Sequence, residues 1–311
     1  MENPVITLFG GNGFIGRSLV RQLVGKGHHV RVASRAPHKA GSLVAESPPG
    51  TVLPVYASVT DRASVRAALQ GAGAAINLVS ILTEKGGATF QRMNAEAPER
   101  VAEEARAAGV KRFVQVSAIG AAPDSPSRYG RSKAAGERRV KATFPEATIL
   151  RPSVVFGPQD SFLRMFGLMA KILPVLPVYF PETRLQPVYV EDVAKAAALA
   201  LTESGLGGRL FELGGPDRLT MAEIMAFVAQ SVGRTPRLLT VPERVAQIQA
   251  SVMEALPGKL LTRDQLAMLS QDNIVSSEAE TLETLGVVPR SVYDVAPEYL
   301  SQISVLRMVR K

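Results

Sequence analysis

One short stretch constrains this chain more than any other. "TLFGGNGFIGRSLVRQLVGKGHHVRVASR", Thr7 to Arg35, sets an apolar strand, a glycine-spaced turn and an amphipathic helix in that order. Gly10, Gly13 and Gly16 form GxxGxxG at the strand's end. Gly10 allows a tight turn, and Gly13 removes a side chain where a diphosphate approaches. Gly16 lets helix and strand pack closely. The helix N-terminus then offers unpaired N–H groups and a positive dipole end to phosphate. The residues expected at this elbow are Gly10, Asn12, Gly13, Phe14, Ile15 and Gly16.

The alternation continues downstream. Apolar runs at 5–9, 30–33, 52–56, 74–79, 113–116 and 148–150 read as strands. Helical patterns fall between them at 14–26, 61–70, 88–108 and 129–144. Such alternation predicts an α/β fold: a Rossmann-type, doubly wound parallel sheet with ligand at the carboxyl ends of its strands. After Arg151 the texture changes to Pro- and Gly-rich segments, with helical patterns at 190–201, 220–232, 242–254 and 262–269. The expected division is a dinucleotide-binding domain over 1–151 and a smaller, mostly helical C-terminal lobe over 152–311. That lobe is expected to interleave partly with late strands of the main sheet and to close over the pocket.

Composition narrows the chemistry. The chain has no Cys, and its three His (His28, His29, His38) all lie near the N-terminus. No thiol nucleophile, thiolate site or His-rich metal site follows, so the expectation is no metal. The net charge of +8 is spread in short doublets, without a basic tail, and aromatics are only 5%. The charge favours anionic partners such as nucleotide phosphates, an acidic protein or a lipid surface, while the scatter and the few aromatics speak against nucleic acid. No signal or transit pattern precedes the first strand.

The end of the second strand selects among cofactors. NAD sites usually carry an acidic residue there for the ribose hydroxyls; this chain has Ser34 and Arg35, with Lys39 close behind. An Arg pairs with a 2′-phosphate that a carboxylate would repel, so NADP(H) is expected, with NAD(H) second. Further on, "SRYGRSKAAGE" sets Tyr129 and Lys133 four residues apart, on one face of a helix. A Lys⁺ beside a phenol lowers the phenol pKa, fitting Tyr129 to exchange a proton with a carbonyl or hydroxyl. Lys133 can also hold the nicotinamide ribose.

With these residues in place the chain resembles the extended or atypical short-chain dehydrogenase/reductases. The resemblance runs through the glycine loop, Tyr129/Lys133, "RPSVVFGPQD" and "QPVYVEDVAKA". Within that superfamily it looks most like the accessory NAD(P)-binding subunits of respiratory complex I, the NADH:ubiquinone oxidoreductase. "LFGGNGFIGR", "AAINLVSIL", "SRYGRSKAAGERRV", "FPEATILRPSVVFGPQDSFL" and the C-terminal "LPGKLLTRDQLAMLSQDN" carry that likeness. The resemblance implies tight NADPH binding, stabilisation of a membrane complex, and no accepted turnover. Active superfamily members place a Ser or Thr near the end of the fifth strand. Here Ala118 falls at that position, and Ser117 reaches the pocket only if the register shifts by one. The acidic residue often found near the adenine is Ser58, and Asp61 is expected to cap the next helix.

Other residues carry two readings each. Asn77 and Asn94 either support the cofactor or tie down loops. Pro152 fixes a turn beside the nicotinamide. The apolar segment 161–181 is a lid over the cleft or a docking face; Arg164, Lys171 and three Pro argue against a spanning helix. Glu191 and Asp192 open a helix and serve its N-terminus.

Two functions follow. The first is an NADP(H)-binding accessory protein of the complex I type, in a complex at the inner face of a bacterial or mitochondrial-type membrane. It would be cytoplasmic, or peripheral at the cytoplasmic membrane face, with no transmembrane segment. The second is an NAD(P)-dependent reductase, epimerase or dehydratase with Tyr129, Lys133 and Ser117 as its catalytic residues.

Overall fold

The computed structural model describes residues 4–255 and 261–304. Residues 256–260, which open the C-terminal "LPGKLLTRDQLAMLSQDN" stretch, lie outside the described residues. The chain separates into two compact units. One holds the residues up to Pro152 together with Val190–Leu213 and Ser277–Val287; the other holds Ser153–Tyr189, Gly214–Ser276 and the residues from Val288 onward.

The first unit begins with β1 (Val5–Phe9), α1 (Phe14–Gly25), β2 (Val30–Ser34), the short α2 (Gly41–Ala45) and β3 (Val52–Tyr56). It continues through α3 (Arg62–Leu69), β4 (Ala72–Asn77), α4 (Ala97–Ala107), β5 (Arg112–Val116), α5 (Arg128–Thr143) and β6 (Thr148–Pro152). The chain then supplies the second unit with β7 (Val155–Phe156), α6 (Phe162–Ile172), β8 (Val175–Val178), β9 (Arg184–Leu185) and β10 (Val188–Tyr189). It returns to the first unit for α7 (Val190–Thr202) and β11 (Leu210–Leu213). The second unit is completed by β12 (Leu219–Thr220), α8 (Met221–Ser231), β13 (Arg237–Thr240), α9 (Glu243–Ala255), α10 (Arg263–Leu269) and α11 (Val292–Leu300).

The first unit is a seven-stranded sheet in the order β11-β6-β5-β4-β1-β2-β3, parallel throughout. This is the doubly wound sheet expected from the strand–helix alternation. Strand order reverses between β1 and β4, so the crevice at their carboxyl ends is the natural ligand position. Ile6, Leu8 and Phe9 are buried on a strand covered on both faces. One core gathers Phe9, Val65, Val101, Phe113 and Phe144. Elsewhere in this unit α1 packs on α7, and Glu191 joins them: Ser18 Oγ donates to its Oε1 (2.6 Å), and Gln22 Nε2 donates to its Oε2 (3.0 Å) and its carbonyl (2.8 Å). Glu191 therefore does more than face its own helix terminus. Asp61 caps α3 as expected, accepting from Ala63 N and Ser64 N.

The helical pattern over 88–108 contains a π-helical turn, Gln91–Glu96, ahead of α4. Such turns mark places where side chains are re-aimed. Here the turn carries Asn94, and α5 approaches it so closely that a Cβ on Gly136 would lie 2.2 Å from Asn94 O.

The second unit has its own core, including Phe156, Leu163, Leu176, Ile224, Val228 and Val295. Its hub is the buried Asp160 of "RPSVVFGPQD". Asp160 accepts from Tyr299 Oη (2.7 Å), Gly157 N (3.2 Å) and Leu163 N (2.7 Å), closing the start of α6. Burial holds its carboxyl above the ordinary Asp range despite these bonds. Gln186 of "QPVYVEDVAKA" likewise clamps two segments, donating to Gly215 O and accepting from Val275 N. Among the described residues no helix is long and apolar enough to cross a membrane.

Gly136→Ala should lower stability by about 2 kcal/mol, because a methyl group there meets backbone that cannot step aside. Chemical denaturation checks this, and an unchanged midpoint would contradict it.

Candidate functional site

The elbow after β1 is built from backbone alone. Gly10 has φ +82°, the left-handed region, and turns the chain out of the strand. Gly13 N donates to Gly10 O (2.9 Å) and so closes the turn. A Cβ on Gly16 would lie 2.5 Å from Gly10 O and 2.6 Å from Gly11 C, so only glycine allows α1 to begin this close to the strand. Gly13 is different: it is exposed, its backbone is extended, and a Cβ there would meet only Gly10 O at 3.1 Å. No other heavy atom of the described residues beyond its chain neighbours lies within 4 Å of that position. α1 starts with no side-chain cap and no acidic residue in its first turn, which leaves the N–H groups of Phe14 and Ile15 for an external acceptor. An open floor beneath uncapped donors fits a pyrophosphate.

Next to the elbow, Asn12 Nδ2 donates to Ser34 Oγ (3.1 Å) and to Ala36 O (3.3 Å). Asn12 and Ser34 thus tie the end of β2 to the glycine turn. Arg35 and Lys39 are exposed, and the Arg35 guanidinium has no protein partner among the described residues. Sequence reasoning missed Arg17. Its Nε donates to Asn12 O (3.1 Å), and its terminal nitrogens donate to Ser42 Oγ (2.9 Å) and Lys39 O (3.0 Å). It fastens the Arg35–Lys39 segment to the elbow. A cation in the first turn of a helix opposes the dipole, and that mismatch was the available signal.

A second cluster forms at the carboxyl end of β5. Tyr129 and Lys133 are both buried on α5, and Lys133 Nζ donates to Val116 O (2.9 Å). Tyr129 hydrogen-bonds Ser80 and meets Phe90 edge-on, with ring centroids 6.1 Å apart. Ser80 in turn donates to Asn94 Oδ1 (3.1 Å). Asn94 also accepts from Ile81 N and donates to Ile81 O and Ser132 Oγ, so it ties down the loop after β4. The Lys133 effect expected from the spacing does not set the phenol. Burial raises Tyr129 to about 12, with Ser80 opposing, because desolvating a phenolate costs more than its neighbours return. Burial also lowers Lys133 to about 8, with Glu137 one turn further along the helix opposing.

That Glu137 belongs to a charge network absent from the sequence reading. Arg151 grips it with Nε and a terminal nitrogen (2.9 and 2.7 Å) and reaches Glu212 at 3.5 Å. Arg151 thus steadies the helix carrying Lys133. Ser117 Oγ is buried without a hydrogen-bond partner among the described residues, while Ala118 at the next position is partly exposed. Asn77 is fully buried. Its amide donates to Gln115 Oε1 (2.9 Å) and accepts from Val79 N (3.1 Å), the loop-tying of its two readings. Pro152 is buried, and its carbonyl accepts from Ile119 N (3.1 Å). The structure thus brings Gly10, Asn12, Gly13, Gly16 and Ser34 into one cluster. Tyr129, Lys133, Ser117 and Pro152 lie around the ends of β5 and β6 in the same sheet.

Comparison with known proteins adds the following. Residues 6–214 match the NAD dependent epimerase/dehydratase family. The chain is similar to NADH dehydrogenase (ubiquinone) 1 alpha subcomplex subunit 9, mitochondrial, of Arabidopsis thaliana: 33% identity over 311 residues, covering 96% of this chain and 77% of that protein. It is also similar to the ceramide reductase of Caulobacter vibrioides: 36% identity over 252 residues, covering 77% of this chain and 74% of that protein. Among solved structures, an NADPH-dependent quinone oxidoreductase from Escherichia coli, complexed with NADPH, shares the fold. Its TM-score is 0.75 at 20% identity, over 95% of this chain and 99% of that one.

The Lys133 environment has a pH signature. Its folded pKa lies below the unfolded value of 10.5, so between about pH 8 and 10.5 the unfolded chain binds the extra proton. Stability from this group therefore rises with pH through that window. The difference in unfolding free energy between wild type and Lys133→Met should grow across it by up to about 3 kcal/mol. Parallel stability–pH curves for the two proteins would contradict this.

Proposed function

The chain belongs to the NAD dependent epimerase/dehydratase family, and from that premise we propose that it is an NADP(H)-binding accessory subunit of a complex I type assembly. Its nucleotide is held mainly as a structural element. The observation that carries this reading is the contrast between the two ends of the site. The elbow is open and rich in free donors, while Tyr129 and Lys133 are enclosed and bonded to Ser80 and Val116, with Ala118 where a hydroxyl would serve catalysis. The relative named as a mitochondrial NADH dehydrogenase subunit supports the assembly part.

In this reading the N–H groups of Phe14 and Ile15 hold the pyrophosphate over Gly13. Arg35 pairs with the 2′-phosphate, and Lys39 adds positive charge beside it. Asn12, Ser34 and Arg17 keep that segment in place. Lys133 holds the nicotinamide ribose, Pro152 shapes the wall beside it, and Asn77 fixes the floor from within. The protein works at the inner, cytoplasmic face of its membrane as a peripheral member of the complex.

A second reading, a reductase, has its own support in the retained Tyr129/Lys133 pair and the similarity to a ceramide reductase. When bound, a reduced nicotinamide supplies hydride. A phenol held near 12 stays protonated at neutral pH, so Tyr129 would give its proton to a carbonyl oxygen, with Ser117 as the polarising hydroxyl.

NADPH at about 100 times its Kd should stabilise the protein by about 2.7 kcal/mol. Arg35→Glu should weaken NADPH by about tenfold or more and leave NADH nearly unchanged, because one charge-assisted pair is lost and a like charge replaces it. Thermal-shift titration measures both. A melting curve indifferent to both nucleotides contradicts the proposal. NADPH oxidation by the wild type that Tyr129→Phe abolishes, with affinity intact, establishes the reductase instead.

A further inference from the structure

The segment 161–181, read from sequence as a lid or a docking face, presents an unusual surface within the second unit. Ile172, Leu173, Pro174 and Val175 are four consecutive exposed residues linking α6 to β8. Met165 is exposed two turns back on the same face of α6 (41%), and Ile172 reaches 56%. β8 pairs in parallel with β13, so Arg237 lies opposite Val175 and the exposed Leu239 lies opposite Pro177. Arg237 N donates to Pro174 O (3.0 Å), fixing the apolar tip against the arginine-bearing strand.

The charges on the segments that form this tip have one sign, with acidic residues only at their flanks (Glu182, Glu223, Glu243) and on the neighbouring α11 (Asp294, Glu298). Neither 161–181 nor 224–242 contains an Asp or Glu; their charged residues are Arg164, Lys171, Arg234 and Arg237. Lys171 is engaged by Ile303 O, and Arg164 donates to Pro158 O. Arg234 and Arg237 are exposed and have no acidic partner among the described residues. An apolar tip with two unpaired arginines on the segment paired beside it suits a surface that is negative at its face and apolar just beneath. A protein partner would need an acidic rim around an apolar socket, a far more particular complement than an acidic bilayer offers.

We propose that this tip docks the protein directly on an anionic lipid bilayer. Ile172–Val175 and Leu239 enter the headgroup boundary, and Arg234 and Arg237 pair with acidic headgroups. This contact belongs to the chain itself and requires neither a bound nucleotide nor an assembled complex.

The test is flotation of the full chain with vesicles of phosphatidylcholine alone or of phosphatidylcholine mixed with phosphatidylglycerol. The wild type should float with the mixed vesicles and not with the neutral ones, and added salt should weaken the binding. Arg234→Gln and Arg237→Gln should each weaken it about fivefold. Ile172→Glu should abolish it while circular dichroism and melting stay as in the wild type. Absence of flotation, equal flotation with neutral vesicles, or variants that float like the wild type would each overturn the proposal. A dimer in solution that Ile172→Glu breaks, without flotation, would overturn it too by assigning the face to a second copy. Nucleotide binding uses none of these residues, so failure here leaves the nucleotide reading standing.

Discussion

The approach of Gly16 to the backbone of Gly10 and Gly11 is the contact on which the rest depends. A methyl group at Gly16 would sit 2.5 Å from a carbonyl oxygen, so α1 can begin where it does only because residue 16 has no side chain. That start points the uncapped N–H groups of α1 at the crevice between β1 and β4, and it places Arg17 where it can fasten the segment carrying Arg35. It also sets α1 against α7, where Glu191 binds Ser18 and Gln22. The late return of the chain to the sheet is thus joined to the first helix of the fold.

The second constraint is charge. Lys133, Glu137, Arg151 and Glu212 alternate in sign over α5, β6 and β11, all at least partly buried. Such groups are costly to bury singly and tolerable in hydrogen-bonded sets. The set fixes α5 against β6, and with it Tyr129 and Lys133. Tyr129 and Lys133 are each bonded within the protein, to Ser80 and to Val116 O.

Much of this was legible beforehand. The first six strands stood out as short apolar runs between glycine turns and helical periods, and buried parallel strands have that texture. The glycine spacing located the elbow because strand, turn and helix appeared in the order the motif requires. β11 was not legible: Leu210–Leu213 is four residues long and runs into Gly-Gly-Pro, so it reads as loop. The π turn at Gln91–Glu96 was hidden because 88–108 reads as one helical pattern, while Asn94 on that turn bonds Ile81, a residue distant in the sequence. The raised Tyr129 was hidden for a similar reason. Spacing shows that Lys133 is near, but not that both groups are buried.

The proposed nucleotide seat rests on a pyrophosphate lying over Gly13. Gly13 has extended backbone, and a Cβ there meets one atom within 4 Å, Gly10 O at 3.1 Å, so Gly13→Val asks the turn to yield by a few tenths of an ångström. Direct titration of NADPH into wild type and Gly13→Val, at matched melting temperature, isolates that space. Wild type should bind saturably and the variant about a hundredfold or more weaker, since its side chain would stand where the phosphates lie. Equal affinity in the two proteins would contradict it.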